Sequence, residues 1–150
     1  MQRLFPQARD YKTVTVKMTP ERIAAIERGL GEPLEASEKR EFDRYEITGA
    51  DGGRLGTVLA LAGRGEYGAI EVVIGVNPAG RIVGTYIQRS REKATRVLQA
   101  PEFLNQFAGK TRTDEFDGIK SAPGAESASG VVAFVIKKML VFQDVLSRSP

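Results

Sequence analysis

Residues 72–84 read Val72-Val73-Ile74-Gly75-Val76-Asn77-Pro78-Ala79-Gly80-Arg81-Ile82-Val83-Gly84, and this stretch decides the fold. Two runs rich in β-branched residues flank a four-residue turn in which Pro78 presets φ. Strands joined by so short a turn are antiparallel, because parallel neighbours need a long crossover. The stretch therefore predicts an antiparallel hairpin made of strands Ala69 to Val76 and Ile82 to Ile87.

Three more strands are predicted on the N-terminal side of this hairpin. One runs from Leu55 to Ala62 and is ended by Gly63-Arg64-Gly65, and another is marked by Phe42, Tyr45 and Ile47. Turn residues at positions 49–53 reverse the chain between these two strands. Alternation of apolar and polar residues from Thr13 to Met18 predicts the first strand. The sheet is therefore expected to be an antiparallel meander.

Helix signals stand at both ends of the chain. Thr19 is a natural N-cap, Pro20 suits the first helical position and Gly31 supplies a stop, so a short amphipathic helix is predicted from Pro20 to Leu30. Residues 31–40 are predicted to be an exposed connection, and residues 101–107 a short helix.

The longest helix is predicted from about Ser129 to Leu146. Its apolar residues form a broad stripe, and Lys137, Lys138 and Asp144 are expected to lie mostly opposite that stripe. Residues 1–150 are thus expected to form a single α+β domain, an antiparallel meander sheet with a short N-terminal helix and a long C-terminal helix packed on it.

The sequence contains no cysteine and no histidine. This composition excludes disulfides, thiolate nucleophiles, Fe–S clusters, the usual structural zinc sites and Ser-His-Asp catalysis. The net charge is +3, and few aromatic residues accompany the basic ones, so nucleic-acid binding is not expected. No apolar run approaches the roughly 18 residues of a membrane span, so none is expected in this chain.

Small and polar residues precede the long helix, in the loop from Ser121 to Ser129. Small side chains let a ligand approach the backbone, and the free N–H groups of a helix start attract anions. A phosphate there would meet backbone donors and the hydroxyls of Ser127 and Ser129, whereas Glu126 adds an opposing charge. The alternative is an ordinary capped helix start, which the spacing alone favours.

Two further segments are candidate binding sites. Residues 88–96 leave a strand and carry Glu92 and Thr95 among arginines, where active loops often lie. Gly65-Glu66-Tyr67-Gly68 places two glycines around a tyrosine and leaves room for a flat ring. The alternatives are an inert loop and a simple tight turn into a strand. Acidic residues 114–117 are better explained as surface charge than as a cation site.

In order along the chain, these segments resemble the FMN-binding domain family, which includes the flavin subunits of the Rnf and Na⁺-pumping Nqr complexes. Family members show a Gly-Tyr-Gly-Gly-Pro-Ile type segment, a Glu-Thr-Pro-Gly-like loop, a Phe-containing helix ending in Gly-Lys and a Ser-Gly-Ala-Thr-x-Ser-Ser motif. The corresponding stretches here are Gly65-Glu66-Tyr67-Gly68-Ala69-Ile70, the loop after Glu92, Phe103-Leu104-Asn105-Gln106-Phe107-Ala108-Gly109-Lys110 and Pro123-Gly124-Ala125-Glu126-Ser127-Ala128-Ser129.

Two of the cofactor-contacting motifs depart from the family pattern. The threonine that can carry FMN through a phosphoester corresponds to Glu126, which has no hydroxyl, and the first serine of that motif corresponds to Pro123. The Thr-Pro-Gly that follows the family's glutamate is replaced by Lys93-Ala94-Thr95. The resemblance therefore implies a flavin-family domain without covalent flavin.

The resemblance implies that the protein binds FMN weakly and non-covalently, or has lost it. The expected cofactor-binding residues are Tyr67, Gly68, Glu92, Thr95, Gly124, Ala125, Glu126, Ser127 and Ser129. The expected partner is a membrane electron-transport complex, and the expected location is periplasmic, with a membrane anchor ahead of residue 1. The alternative is a cofactor-free interaction or sensor module that keeps the fold.

Overall fold

The computed structural model describes residues 3–148, and its centre is one five-stranded antiparallel sheet. The strands lie in the order β1-β2-β3-β4-β5, so each one pairs with its neighbours along the chain. Their bounds are β1 (Asp10–Lys17), β2 (Glu41–Thr48), β3 (Arg54–Gly65), β4 (Gly68–Val76) and β5 (Ile82–Arg89). The predicted meander and the α+β class are confirmed.

Local capping fixes the short helix that connects β1 to β2. Helix α1 (Pro20–Leu30) begins after Thr19, whose side chain accepts a hydrogen bond from the Arg22 N–H at 3.2 Å. It ends at Gly31, which adopts a φ of 80° and donates its N–H to the Glu27 carbonyl. Glycine is favoured at this position because it has no Cβ to clash in the left-handed region. The predicted bounds of α1 are confirmed.

The second half of the chain is helical. Two short helices, α2 (Thr95–Leu98) and α3 (Pro101–Leu104), are followed by a 3₁₀ turn, Asn105–Phe107, and by the long helix α4 (Glu126–Arg148). The start predicted for α4 was three residues too late, because Ser127 and Ala128 already continue the helix from Glu126. None of the helices in residues 3–148 is long and apolar enough to cross a membrane.

One face of the sheet packs under α1 and α4, and a short N-terminal segment covers the other face. The helix side holds the main core, which includes Leu59, Ile74 and Phe142, all fully buried. On the opposite side Leu4 and Phe5 pack with residues such as Ile47 and Val73. The second half of β4 is therefore buried on both faces, which explains why it is uniformly apolar.

Glycine at position 56 makes room for that N-terminal segment. A Cβ there would lie 2.3 Å from the Val76 carbonyl oxygen and 2.6 Å from the ring of Phe5. Such distances are far inside van der Waals contact, so only glycine allows the aromatic ring to rest on the sheet.

The structure corrects two predictions that concern the connections. Gly63-Arg64-Gly65 does not end β3; these residues pair in register with Gly68, Ala69 and Ile70, and the hairpin turn consists of Glu66 and Tyr67 alone. Gly63 persists in the strand because α4 lies directly over it: a Cβ there would be 2.5 Å from Val135. Residues 31–40 are more ordered than a simple exposed connection, with a 3₁₀ helix at Ala36–Lys39 and Leu34 buried.

Candidate functional site

A groove of about 900 Å³ runs along the N-terminal half of α4. Three parts of the chain form its walls: the tip of the β3–β4 hairpin, the outward face of α4 and the segment 32–38 that precedes β2. The lining consists of Glu32, Glu35, Ser37, Glu38, Ala62, Gly63, Arg64, Gly65, Glu66, Gly68, Ala69, Ser127, Gly130, Val131, Phe134, Val135 and Lys138. Its size is that of a small-molecule site.

Small residues make the floor of this groove. Gly130 has no heavy atom within 4 Å of the position that a Cβ would take, so the surface of α4 is open there. Phe134 lies one turn further along the helix and is 36% exposed, and the Lys138 ammonium lies 5.2 Å from its ring centroid. The exposed part of the ring is left for contact with a ligand. The groove therefore offers an open glycine surface and an aromatic side chain for contact with a flat ring.

The loop before α4 binds one of its own carboxylates. The backbone N–H of Gly124, a residue with a φ of 76°, donates to Oε2 of Glu126 at 3.0 Å. Glu126 is also the first residue of α4, where a negative charge interacts favourably with the helix dipole. A donor that the sequence suggested for a phosphate is thus already occupied by the side chain of Glu126.

The two serines of this loop are used differently. Ser129 is 3% exposed, and its hydroxyl accepts the backbone N–H of Ala122 at 2.9 Å. Ala125 is buried as well, and its N–H donates to the Ala122 carbonyl. Ser127 is exposed and lines the groove. Ser129 therefore orders the loop, and Ser127 is the serine of this pair that a ligand in the groove can reach.

The other two candidate segments meet at the tip of the β3–β4 hairpin. The Glu92 carboxylate accepts the backbone N–H of Tyr67 at 2.8 Å, and Thr95 donates its hydroxyl to the Glu92 carbonyl at 2.5 Å. Tyr67 is 43% exposed, with the Lys93 ammonium 5.4 Å from its ring centroid. Glu92 thus fastens the loop after β5 to the hairpin.

Of the nine predicted site residues, Gly68 and Ser127 line the groove itself. Tyr67 and Glu92 are in contact with each other at the adjacent hairpin tip, and Glu126 lies one residue before Ser127. The fold therefore brings the hairpin and the helix start to one groove. The cofactor-binding roles of the nine residues stay predictions.

Sequence reasoning missed the ion pair between Glu38 and Lys138, which joins the 32–38 segment to α4. The Lys138 ammonium lies 3.1 Å from both oxygens of Glu38, and both side chains are 9% exposed. The prediction that Lys138 lies opposite the apolar stripe was wrong. Lys138 is three residues after Val135 and four before Phe142, both buried, and this spacing was the available signal.

Acidic residues outnumber basic ones around the groove. Glu32, Glu35, Glu38 and Glu66 line it together with Arg64 and Lys138, so four carboxylates face two cations. Since Lys138 is paired with Glu38, the remaining charge is predominantly negative. The groove is consequently better suited to a neutral or cationic group than to a phosphate.

Asp114, the first of the acidic residues 114–117, is held by its own loop. Asp114 accepts both the N–H and the hydroxyl of Thr111, and these two hydrogen bonds lower the pKa of its carboxyl group. Within residues 3–148, no group of three or more acidic side chains is arranged to hold a metal ion.

The fold and the groove define a class: an α+β domain in which a long C-terminal helix crosses a five-stranded meander, with a ligand-sized groove at the helix start. The solved structure of NqrC from Shewanella oneidensis is similar to this fold, with a TM-score of 0.63 and 12% identity over 97% of this chain and 88% of that one. At this identity the match shows the fold alone. No protein-family model matches the chain, and no curated protein matches it in sequence.

Proposed function

We propose that the protein is a flavin-family domain of the NqrC fold whose groove binds FMN or a related planar ligand weakly and non-covalently. The observation that carries the proposal is the groove, because the fold places the two resembling motifs, around Gly68 and Ser127, on its walls. A planar ring would lie on Gly130 and against Phe134, where α4 offers open apolar surface. The flavin would supply the redox chemistry, and the protein would supply position and electrostatics.

In this proposal the phosphate group of the ligand is bound more weakly than its ring. Gly124, Ala125 and Ser127 would meet the phosphate, but the Gly124 N–H first has to exchange its bond to Glu126. The Ala125 N–H is already donated within the loop. Glu92 and Thr95 would border the ring region with Tyr67 nearby. The groove therefore favours binding of the neutral isoalloxazine ring and disfavours binding of the phosphate.

A titration with FMN and, in parallel, with riboflavin tests this proposal through flavin fluorescence and thermal shift. We expect saturable quenching by both, with riboflavin at least as tight as FMN because it lacks the phosphate. Phe134→Ala should weaken the binding of both ligands. Val83→Ala should not, because Val83 is an apolar residue on β5 that is 43% exposed and lies outside the groove. The absence of any response up to about 1 mM ligand, which corresponds to about −4 kcal/mol, would rule out the flavin proposal.

Restoring threonine tests the origin of the lost attachment. Glu126→Thr removes the carboxylate that accepts the Gly124 N–H and supplies the missing hydroxyl. Co-expression with a flavin transferase should then add the mass of one FMN to the chain. If no covalent flavin forms, the spacing of the loop has diverged as well as the residue.

A cofactor-free interaction module is the second candidate, and one observation favours it. Phe134 also borders a shallow apolar hollow of about 410 Å³, which Asp114, Glu115 and Asp117 surround. An exposed aromatic residue with acidic neighbours on both sides suits a partner with basic and apolar residues. A purified protein without yellow colour that nevertheless binds a membrane electron-transport subunit, on the periplasmic side that the resemblance implies, would support this candidate.

A further inference from the structure

A second cleft, of about 400 Å³, lies at the other end of α4 from the groove. The β4–β5 turn (77–80), the loop 111–113, the start of β3 and the C-terminal half of α4 form its walls. No residue of this cleft lines the groove near Ser127, so the two cavities are separate.

Guanidinium groups surround this cleft. Arg54 and Arg112 line it, and Arg44 lies against its wall, with Nη1 3.4 Å from Gln143 Oε1 and 3.3 Å from Ser147 Oγ. Arg44 projects from β2 under the last turns of α4. The arginine side chains therefore give the cleft and its wall a concentration of positive charge, and the cleft is partly shielded from water.

The single carboxylate in the lining does not balance this charge. Asp144 is 2.9 Å from Arg112 Nε and 2.7 Å from Arg148 Nη2, so two cations share it. Among residues 3–148, neither Arg44 nor Arg54 has a carboxylate oxygen within 4.0 Å. Both arginines thus keep donors without an ionic partner.

Arg44 is the clearest case, because its Nε is buried and has no hydrogen-bond partner among the described residues. Burial lowers the pKa of its guanidinium and the nearby Arg54 lowers it further, while Glu46 opposes this. A buried guanidinium donor without an acceptor is costly, and arginine remains charged in proteins. An anion beside Arg54 would offset the like-charge repulsion between Arg54 and Arg44.

We propose that this cleft binds the phosphate group of a small molecule. Arg54 Nη2 donates to Thr57 Oγ1 at 3.0 Å, and Arg112 Nε is held by Asp144. The remaining guanidinium donors of both arginines present the planar geometry that phosphate oxygens prefer. The hydroxyls of Thr113 and Ser147 border the same space and can donate to a third oxygen. This site is independent of the flavin groove, and neither depends on the other for its contacts.

Titration of the full chain with inorganic phosphate, at constant ionic strength and followed by ¹⁵N NMR, tests the proposal. We expect saturating shifts of the Arg54 Nε–Hε signal and of the backbone amides at positions 77, 79, 80 and 111–113. Arg54→Gln should weaken phosphate binding about tenfold, since it removes one charge-assisted donor pair. Arg89→Gln is the matched control, because Arg89 is an exposed cation paired with Glu71 at the far edge of the sheet.

Three results would overturn the proposal: shifts that stay linear without saturation, shifts spread evenly over all exposed cations, or equal losses for Arg54→Gln and Arg89→Gln. Arg54→Lys provides a check in case the glutamine variant does not fold, since it keeps the charge and removes the planar guanidinium group. It should bind phosphate more weakly than the parent chain. Flavin quenching should be the same in all three variants, so a failure here is distinguishable from a failure of the flavin proposal.

Discussion

Breaking the ion pair between Glu38 and Lys138 should destabilise the protein strongly. Charged residues usually lie on the surface, where their loss costs little, but this pair is buried. Glu38 accepts two contacts from the Lys138 ammonium and one from the Glu35 N–H, at 3.1, 3.1 and 2.9 Å. Lys138→Met leaves this carboxylate nine-tenths buried with one donor out of three. Removing one partner of such a buried pair costs about 3–5 kcal/mol, because the other charge stays desolvated.

A double-mutant cycle measures this coupling. The variants are Lys138→Met, Glu38→Gln and both together, with the free energy of unfolding taken from urea titrations. For a chain of this size a loss of about 3 kcal/mol should lower Tm by about 6–12 °C. The double variant should recover at least about 2 kcal/mol relative to the sum of the two single losses, because it contains no unpaired buried charge.

The exposed pair of Arg89 and Glu71 provides the control cycle. Arg89 is 75% exposed and Glu71 34% exposed, with 3.2 Å between their charged atoms, so the expected coupling is below about 1 kcal/mol. Equal coupling energies in the two cycles would refute the reasoning that burial sets the strength of the 38–138 pair. Faster amide exchange in the 32–38 segment of Lys138→Met would show, in addition, that the pair holds that wall of the groove in place.

Three further predictions concern the hairpin, the sheet and the acid range. Gly56→Ala should cost at least about 1–3 kcal/mol in urea unfolding through overpacking, whereas Gly118→Ala, with no atom within 4 Å of its Cβ position, should stay within about 0.5 kcal/mol. Glu92→Ala should accelerate hydrogen exchange of the amide it holds at the β3–β4 turn, and unchanged exchange would count against that contact. The hydrogen bonds from Thr111 lower the pKa of the Asp114 carboxyl group, so it should titrate below 3.8 in carboxyl NMR. The stability that Asp114 contributes to its loop should be present above pH 3.8 and lost as the pH falls through the lowered pKa.

The parts of the fold that local chemistry specifies could be predicted from the sequence. The bounds of α1 follow from Thr19, Pro20 and Gly31, which act on neighbours within four positions. The β4–β5 hairpin follows from a turn of four residues. The start of α4 was placed too late because the small and polar residues 121–129 were interpreted as a loop, whereas Glu126 already begins the helix and accepts the Gly124 N–H.

The candidate site could be predicted only in part, because local chemistry specifies only some of its walls. The motif order pointed to the hairpin tip and the helix start, and the fold brings Gly68 and Ser127 to one groove. The third wall, formed by the 32–38 segment, gave no signal of its own. Ser129 looked available for a phosphate, but its hydroxyl is committed to the Ala122 amide inside the loop.

What the sequence by itself determined was therefore the bounds of α1, the antiparallel order of the strands and the absence of a hydroxyl at position 126. What only the tertiary structure decided was which charges are buried and which remain without a partner. Lys138 and Glu38 are 100 positions apart, and Arg44 and Gln143 are 99 positions apart. Helix caps and tight turns depend on atoms a few residues away, whereas the pairing of charges depends on which surfaces of the sheet and of α4 come together. That is why both the groove and the arginine cleft emerge only in the folded chain.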